Sequence, residues 1–137
     1  MDCIFCKIAN GTIPAKKLYE TEKSLAFLDA FPLAQGHTLV IPKNHYSKIQ
    51  EMSKADNLDL FDSVQVMTAK LESISSSCLV AIHNGKESGQ EVPHVHVHLI
   101  PRKASDGAGP VHSMFTKRPS LTSDEINHIC DTITKTK

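Results

Sequence analysis

The stretch His94-Val95-His96-Val97-His98-Leu99 constrains this chain more than any other. Side chains of an extended strand alternate between its two faces with period two. His94, His96 and His98 therefore share one face, while Val95, Val97 and Leu99 share the other. The apolar row needs a core to pack on, and the sequence offers one. Leu60, Val64, Met67, Leu71 and Ile74 recur at spacings of 4, 3, 4 and 3, a single helical stripe. The stripe predicts a helix of about five turns. Ser53 stands where a cap belongs, Asp56 complements the helix N-terminus, and Ser75-Ser76-Ser77 ends the helix. The valines and leucine pack under this helix, so the three imidazoles face a cleft or the open side of a sheet.

The other elements follow from local signals. The first ten residues read as a short helical turn closed by Asn10-Gly11. Strands are expected over 17–20, 24–29, 37–41, 78–83 and 92–100, the last bounded by Pro101. Thr122-Ser123-Asp124-Glu125 is a capping box that opens a final helix carrying Ile126, Ile129 and Ile133. Five strands with one long helix between them predict an α+β fold, an antiparallel sheet with a C-terminal helix. At 137 residues a single domain over 1–137 is expected, large enough to fold without disulfides. Cys78 and Cys130 read as small buried hydrophobes.

Charge narrows the function. Fifteen Lys and Arg balance fifteen Asp and Glu, which argues against a nucleic-acid binder. No apolar run is long enough to span a membrane, and the start has no secretory pattern, so a cytoplasmic protein is expected.

Three imidazoles in register admit three uses. They can be a solvated or hydrogen-bonded polar face. They can ligate a metal. They can supply a nucleophile, since neutral imidazole is nucleophilic near pH 7. The loop before the strand, Asn84-Gly85 through Ser88-Gly89-Gln90, carries neutral donors and glycines that suit an oxyanion.

The motif His94-Val-His-Val-His98-Leu-Ile resembles the signature of the histidine triad (HIT) superfamily. Ile4-Phe5-Cys6-Lys7-Ile8, Ile13-Pro14-Ala15, Leu25-Ala26-Phe27-Leu28-Asp29 and His37-Thr38-Leu39-Val40-Ile41-Pro42-Lys43 resemble successive blocks of its Hint branch. The resemblance covers about residues 3 to 102 and hardly touches 103–137. It implies a HIT-like fold, a homodimer, and hydrolysis of purine nucleoside monophosphate conjugates such as phosphoramidates of AMP. It makes His96 the nucleophile that forms a nucleotidyl-histidine, with the carbonyl of His94 orienting its ring. It places His98 and His37 around the phosphate, Asn84 and Gln90 on phosphate or leaving-group oxygens, and Asp29 on the ribose. It makes Ile4, Phe5, Ile8, Ile13 and Phe27 the slot for the base, positions that core packing alone also explains. Glu91 departs from the small hydroxyl residue common there, and its carboxylate is expected to turn away from phosphate.

Cys3 and Cys6 form a Cys-x-x-Cys pair, and His45 and His94 could complete a tetrahedral set. Bacterial-type members resembling this chain imply a structural zinc there, with no metal needed for chemistry. His83, His112 and His128 read as surface residues. Rival readings are a dinucleoside polyphosphate hydrolase of the same superfamily, a non-catalytic purine nucleotide-binding module, and a zinc hydrolase using the triad as ligands.

Overall fold

The computed structural model describes residues 2–136. They gather into two compact units, one running through Ala104 and the other starting at Ser105. The first unit holds helix α1 (Ile4–Ala9), strands β1 (Lys17–Glu20), β2 (Ser24–Leu28) and β3 (Thr38–Pro42), helix α2 (Lys54–Lys70), and strands β4 (Ser77–Ala81) and β5 (Val97–Arg102). The strands make one antiparallel sheet in the order β1-β2-β3-β5-β4.

The alternation in β2, β3 and β5 sorts the core into two layers. Ala26, Val40, Val97 and Leu99 pack with Leu60, Val64, Met67 and Leu71 on the α2 face. Leu25, Phe27, Leu39 and Ile41 pack with Cys3, Phe5 and Ile8 on the α1 face. Both faces of the central strands are covered, which is why β2 and β3 read as nearly continuous apolar runs. The Cα register pairs Leu39 with His98 and Val40 with Val97. The histidine row therefore continues the α1 layer, and the valine row continues the α2 layer, as the alternation predicts.

Two strand boundaries differ from expectation. Strand β5 begins at Val97, not Val92. Pro93 has no N–H to donate, and Val95 turns to the loop after β3 instead. Val95 N–H donates to the Tyr46 carbonyl at 2.7 Å. Pro101 does not end β5, because β3 has already stopped beside Leu99 and only β4 runs on past it.

Helix α2 starts where expected, with Ser53 Oγ accepting from Asp56 N–H. Ile74 falls beyond the helix and is exposed. Asp56 does more than complement the helix. It is buried, and its carboxylate accepts from Asn44 Nδ2 at 2.9 Å and Tyr46 Oη at 2.7 Å. These donors, Asn44 first, hold its carboxyl below its ordinary value. The two flank His45, so one carboxylate anchors the segment that carries it.

The second unit contains helix α3 (Ser123–Lys135), opened by the expected Thr122–Glu125 capping box. Ile126, Ile129 and Ile133 are exposed, and so is Cys130, which the sequence suggested would be core. A single thirteen-residue helix after an irregular segment has too little of its own unit to bury them. Cys78, likewise expected to be buried, is partly covered. Among the described residues no helix is long and apolar enough to cross a membrane.

Asp56→Ala should lower the unfolding free energy by about 1–3 kcal/mol, the usual result of stranding buried donors. The lowered carboxyl gives stability above the ordinary carboxylate range and loses it as pH falls through the folded value. Urea unfolding should therefore show a gap between parent and variant at pH 7 that narrows in acid.

Candidate active site

A cavity of about 1110 Å³ opens on the α1 face of the sheet. One end is apolar, lined by Ile4, Phe5, Ile8, Ile13, Pro14 and Phe27. The other end carries Asp29, His37, His83, His96 and His98. Phe5 joins the two, with its ring centroid 4.9 Å from that of His96 and the rings edge-on. Phe5, Ile8 and Phe27 are both core and cavity wall.

The hydrogen bonds fix the state of each imidazole. His96 Nδ1–H donates to the backbone carbonyl of His94 at 2.7 Å. That leaves the lone pair on Nε2, the other ring nitrogen. Burial lowers the His96 pKa and outweighs the opposing bond to His94, so the ring is neutral near pH 7. Such a ring is a nucleophile held in one tautomer.

A second pair is set by the backbone. Leu33 N–H donates to His37 Nδ1 at 3.0 Å, so the proton of neutral His37 is on Nε2. That N–H reaches His98 Nδ1 at 3.0 Å, which puts the His98 proton on its Nε2. Asp29 Oδ2 lies 3.5 Å from the same nitrogen of His37, and Asp29 Oδ1 accepts from Phe31 N–H at 2.8 Å. Burial, with His96 and His37 adding to it, pushes His98 down to about 4. His37 is also lowered by burial, partly offset by Asp29. The ligand atoms of Asp29, His37 and His98 lie within 4.8 Å of one another. As bonded, however, both nitrogens of His37 are engaged, by Leu33 N–H and by His98, and Asp29 stands beside this bonded pair as a nearby charge.

His94 belongs elsewhere. Its Nε2–H donates to the Pro42 carbonyl at 2.8 Å, so the lone pair is on Nδ1. Nδ1 lies 3.4 Å from Cys3 Sγ and 3.6 Å from Cys6 Sγ, and Cys6 Sγ lies 3.4 Å from His45 Nδ1. The triad therefore does not close on one metal, as the zinc-hydrolase alternative requires. Instead Cys3, Cys6, His45 and His94 converge, with ligand atoms within 4.8 Å of one another. Zn–S and Zn–N bonds of tetrahedral zinc imply S···N edges of about 3.5 Å, which the three measured separations match. The two thiols, His45 and the free Nδ1 of His94, whose other nitrogen is braced by the Pro42 carbonyl, form a donor set suited to zinc.

The preceding loop departs from expectation. Asn84 accepts from Ile49 N–H and donates to Gln50, while Gln90 Nε2 donates to the Ser47 carbonyl. Neither lines the cavity. The Ser88, Gly89 and Gln90 amides turn to carbonyls of the loop itself, so they form no oxyanion cradle. Residues not assigned to the site also line it, His83 and Gly89 among them. His83, read as surface, stands with its ring centroid 5.4 Å from that of His98. Gly89 packs against it at φ +107°, where a Cβ would lie 3.2 Å from the imidazole. Glu91, expected to turn away, is part of the cavity wall. His83 could have been placed only from the pairing of Ala81 with His98, because that register puts a residue two further on beside the triad.

Comparison with known proteins bears on the family. Residues 10–105 match the family model described as HIT domain. An uncharacterized HIT-like protein of Methanocaldococcus jannaschii is 46% identical over 106 residues, covering 77% of this chain and 82% of that one. An adenosine 5′-monophosphoramidase of Schizosaccharomyces pombe is 45% identical over 102 residues, covering 74% and 75%. A crystal structure of a HIT family member from Bacillus subtilis superposes with a TM-score of 0.86 at 34% identity, covering 98% and 96%.

His37 and His98 are held neutral when folded, whereas free imidazoles titrate near 6.5. The unfolded chain therefore binds more protons between the two values, and stability drops as pH falls from 6.5 toward 4. Urea midpoints measured from pH 7.5 to 4.5 should show this fall, and His98→Gln should make it shallower. An identical slope in the variant would contradict the assignment.

Proposed function

Because the chain belongs to the HIT domain family, we propose that it hydrolyses conjugates of purine nucleoside monophosphates at the α-phosphate through a nucleotidyl intermediate on His96. One observation carries this reading: the 2.7 Å bond from His96 Nδ1–H to the His94 carbonyl, which leaves Nε2 of a buried neutral imidazole as the reacting atom. In the first step Nε2 attacks phosphorus and the bond to the leaving group breaks. For a phosphoramidate the electron pair stays on the leaving nitrogen, which takes a proton from solvent and departs as the amine. In the second step water attacks phosphorus and gives up a proton to solvent, the P–Nε2 bond breaks, and its electron pair returns to the ring. His98 Nε2–H donates to a phosphate oxygen, kept in that tautomer by His37. Among the chain's own groups no metal is required for either step.

The rest of the cavity suits the nucleoside. Asp29, held by Phe31 N–H, offers its remaining lone pairs to the ribose hydroxyls. The apolar end accepts the base between flat and branched side chains. The name of the fission-yeast relative supports the reaction class. A structural zinc at Cys3, Cys6, His45 and His94 completes the reading, supported by the spacing of the donors. When bound, zinc would tie the N-terminal segment to the sheet. A homodimer is also part of it: among the described residues the outer edge of β4 is unpaired, and Val80 on it is exposed.

His96→Ala should lower kcat on adenosine 5′-phosphoramidate by at least about a thousandfold while AMP affinity changes little, since a nucleophile acts in the transition state. A variant with near-parental kcat would defeat the proposal. AMP binding by the parent without turnover of any phosphoramidate would favour the non-catalytic reading. Asp29→Asn should mainly raise KM, and it should do so for ribo- but not for 2′,3′-dideoxy-substrates.

Metal analysis should find about one zinc per chain. Cys3→Ser and Cys6→Ser should each lose it, with a lower Tm and a higher KM while chemistry at His96 persists. Chelator-treated protein with an unchanged Tm and no zinc uptake would defeat the structural-zinc assignment.

A further inference from the structure

The wall of the cavity carries three formal charges among the described residues: Lys16, Asp29 and Glu91. Lys16 comes from the segment that lines the apolar end together with Ile13, Pro14 and Ala15. Asp29 is tied to Phe31 N–H beside His37. Glu91 is different, because among the described residues it has no ion-pair or hydrogen-bond partner. It is an exposed carboxylate on the rim of a cavity proposed to hold a phosphate.

The chain is tied on either side of Glu91. Gln90 is tied to the Ser47 carbonyl at 2.8 Å, and His94 N–H bonds the Val92 carbonyl at 2.8 Å. Glu91 is thus held between the Gly89–His83 contact and the triad. Its negative charge adds a field to the cavity that His96 also lines. The imidazoles around the phosphate are neutral, so they do not cancel this field.

A negative charge at the rim discriminates among leaving groups. A polyphosphate leaving group would carry several charges past it, and a protonated amine would be drawn to it. Resting on the reading of His96 as the nucleophile, we infer that Glu91 selects the leaving group: the preferred substrates join a nucleoside monophosphate through a P–N bond to an amine that carries a second positive charge. Glu91 acts on specificity and takes no part in bond making.

Three AMP phosphoramidates of equal chain length test this, linked to one nitrogen of 1,4-diaminobutane, to butylamine, and to the nitrogen of 4-aminobutanoate. For the parent, kcat/KM should fall in that order by about fivefold per step, the scale of one charge pair near a wet surface. Glu91→Gln, an exposed and near-isosteric change, should compress the series to within about twofold, and Glu91→Lys should reverse it. High salt should narrow the parent's spread, which a purely steric role would not do. Equal rates for all three in the parent, or a spread that survives Glu91→Gln, would overturn the role of Glu91 and leave the proposed reaction standing. Failure of the parent to cleave any of the three would overturn both.

Discussion

His94 is the residue on which the rest of the site depends. Its ring Nε2–H is held by the Pro42 carbonyl at the end of β3, its Nδ1 faces two thiols from the N-terminal segment, and its own carbonyl holds the ring of His96. Three separate parts of the chain thus meet at one buried side chain with 0% exposure. A polar group this deep is tolerable only because each of its atoms has a partner. The same bonds that make its burial tolerable orient the nucleophile two residues on.

Burial also does chemical work across the α1 face. The sheet is covered on both sides, so the histidine row lies among Phe5, Phe27, Leu39 and Ile41 instead of in water. Desolvation penalises the charged imidazole and keeps His37, His96 and His98 neutral. A neutral ring has one lone pair and one N–H, and a hydrogen bond to either nitrogen decides which is which. The Leu33 amide and the His94 carbonyl make that decision for the two halves of the site. The backbone therefore sets the proton positions, and side-chain packing sets the charge.

Much of the fold was legible in the sequence for a plain reason. The Leu60–Leu71 stripe and the caps at Ser53 and Thr122 are local patterns, and each reappears as the element it predicts, while the period-two alternation at 94–99 becomes a strand only from Val97. Sorting the histidines from the valines needed only the alternation. Long-range register was not legible. His83 reaches the cavity because β4 and β5 pair Ala81 with His98. Asn84 and Gln90 look like oxyanion donors in a glycine loop, but their amides find Ile49, Gln50 and Ser47, residues more than thirty positions away. Cys130 lies in the helix that was expected, yet no local pattern says whether a helix face will be covered.

By itself, then, the sequence determined the two faces of the sheet, the long helix that covers one of them and the row of imidazoles on the other. These follow from the geometry of the backbone, which ties side-chain direction to residue spacing. Only the tertiary structure decided that the row divides, with His94 turned to Cys3, Cys6 and His45 while His96 and His98 face the cavity. It also decided where each proton sits and that Glu91 stands at the rim. Those outcomes depend on which distant groups arrive within hydrogen-bonding distance. That is fixed by the packing of the whole unit, because each bond supplies too little energy alone to place a segment.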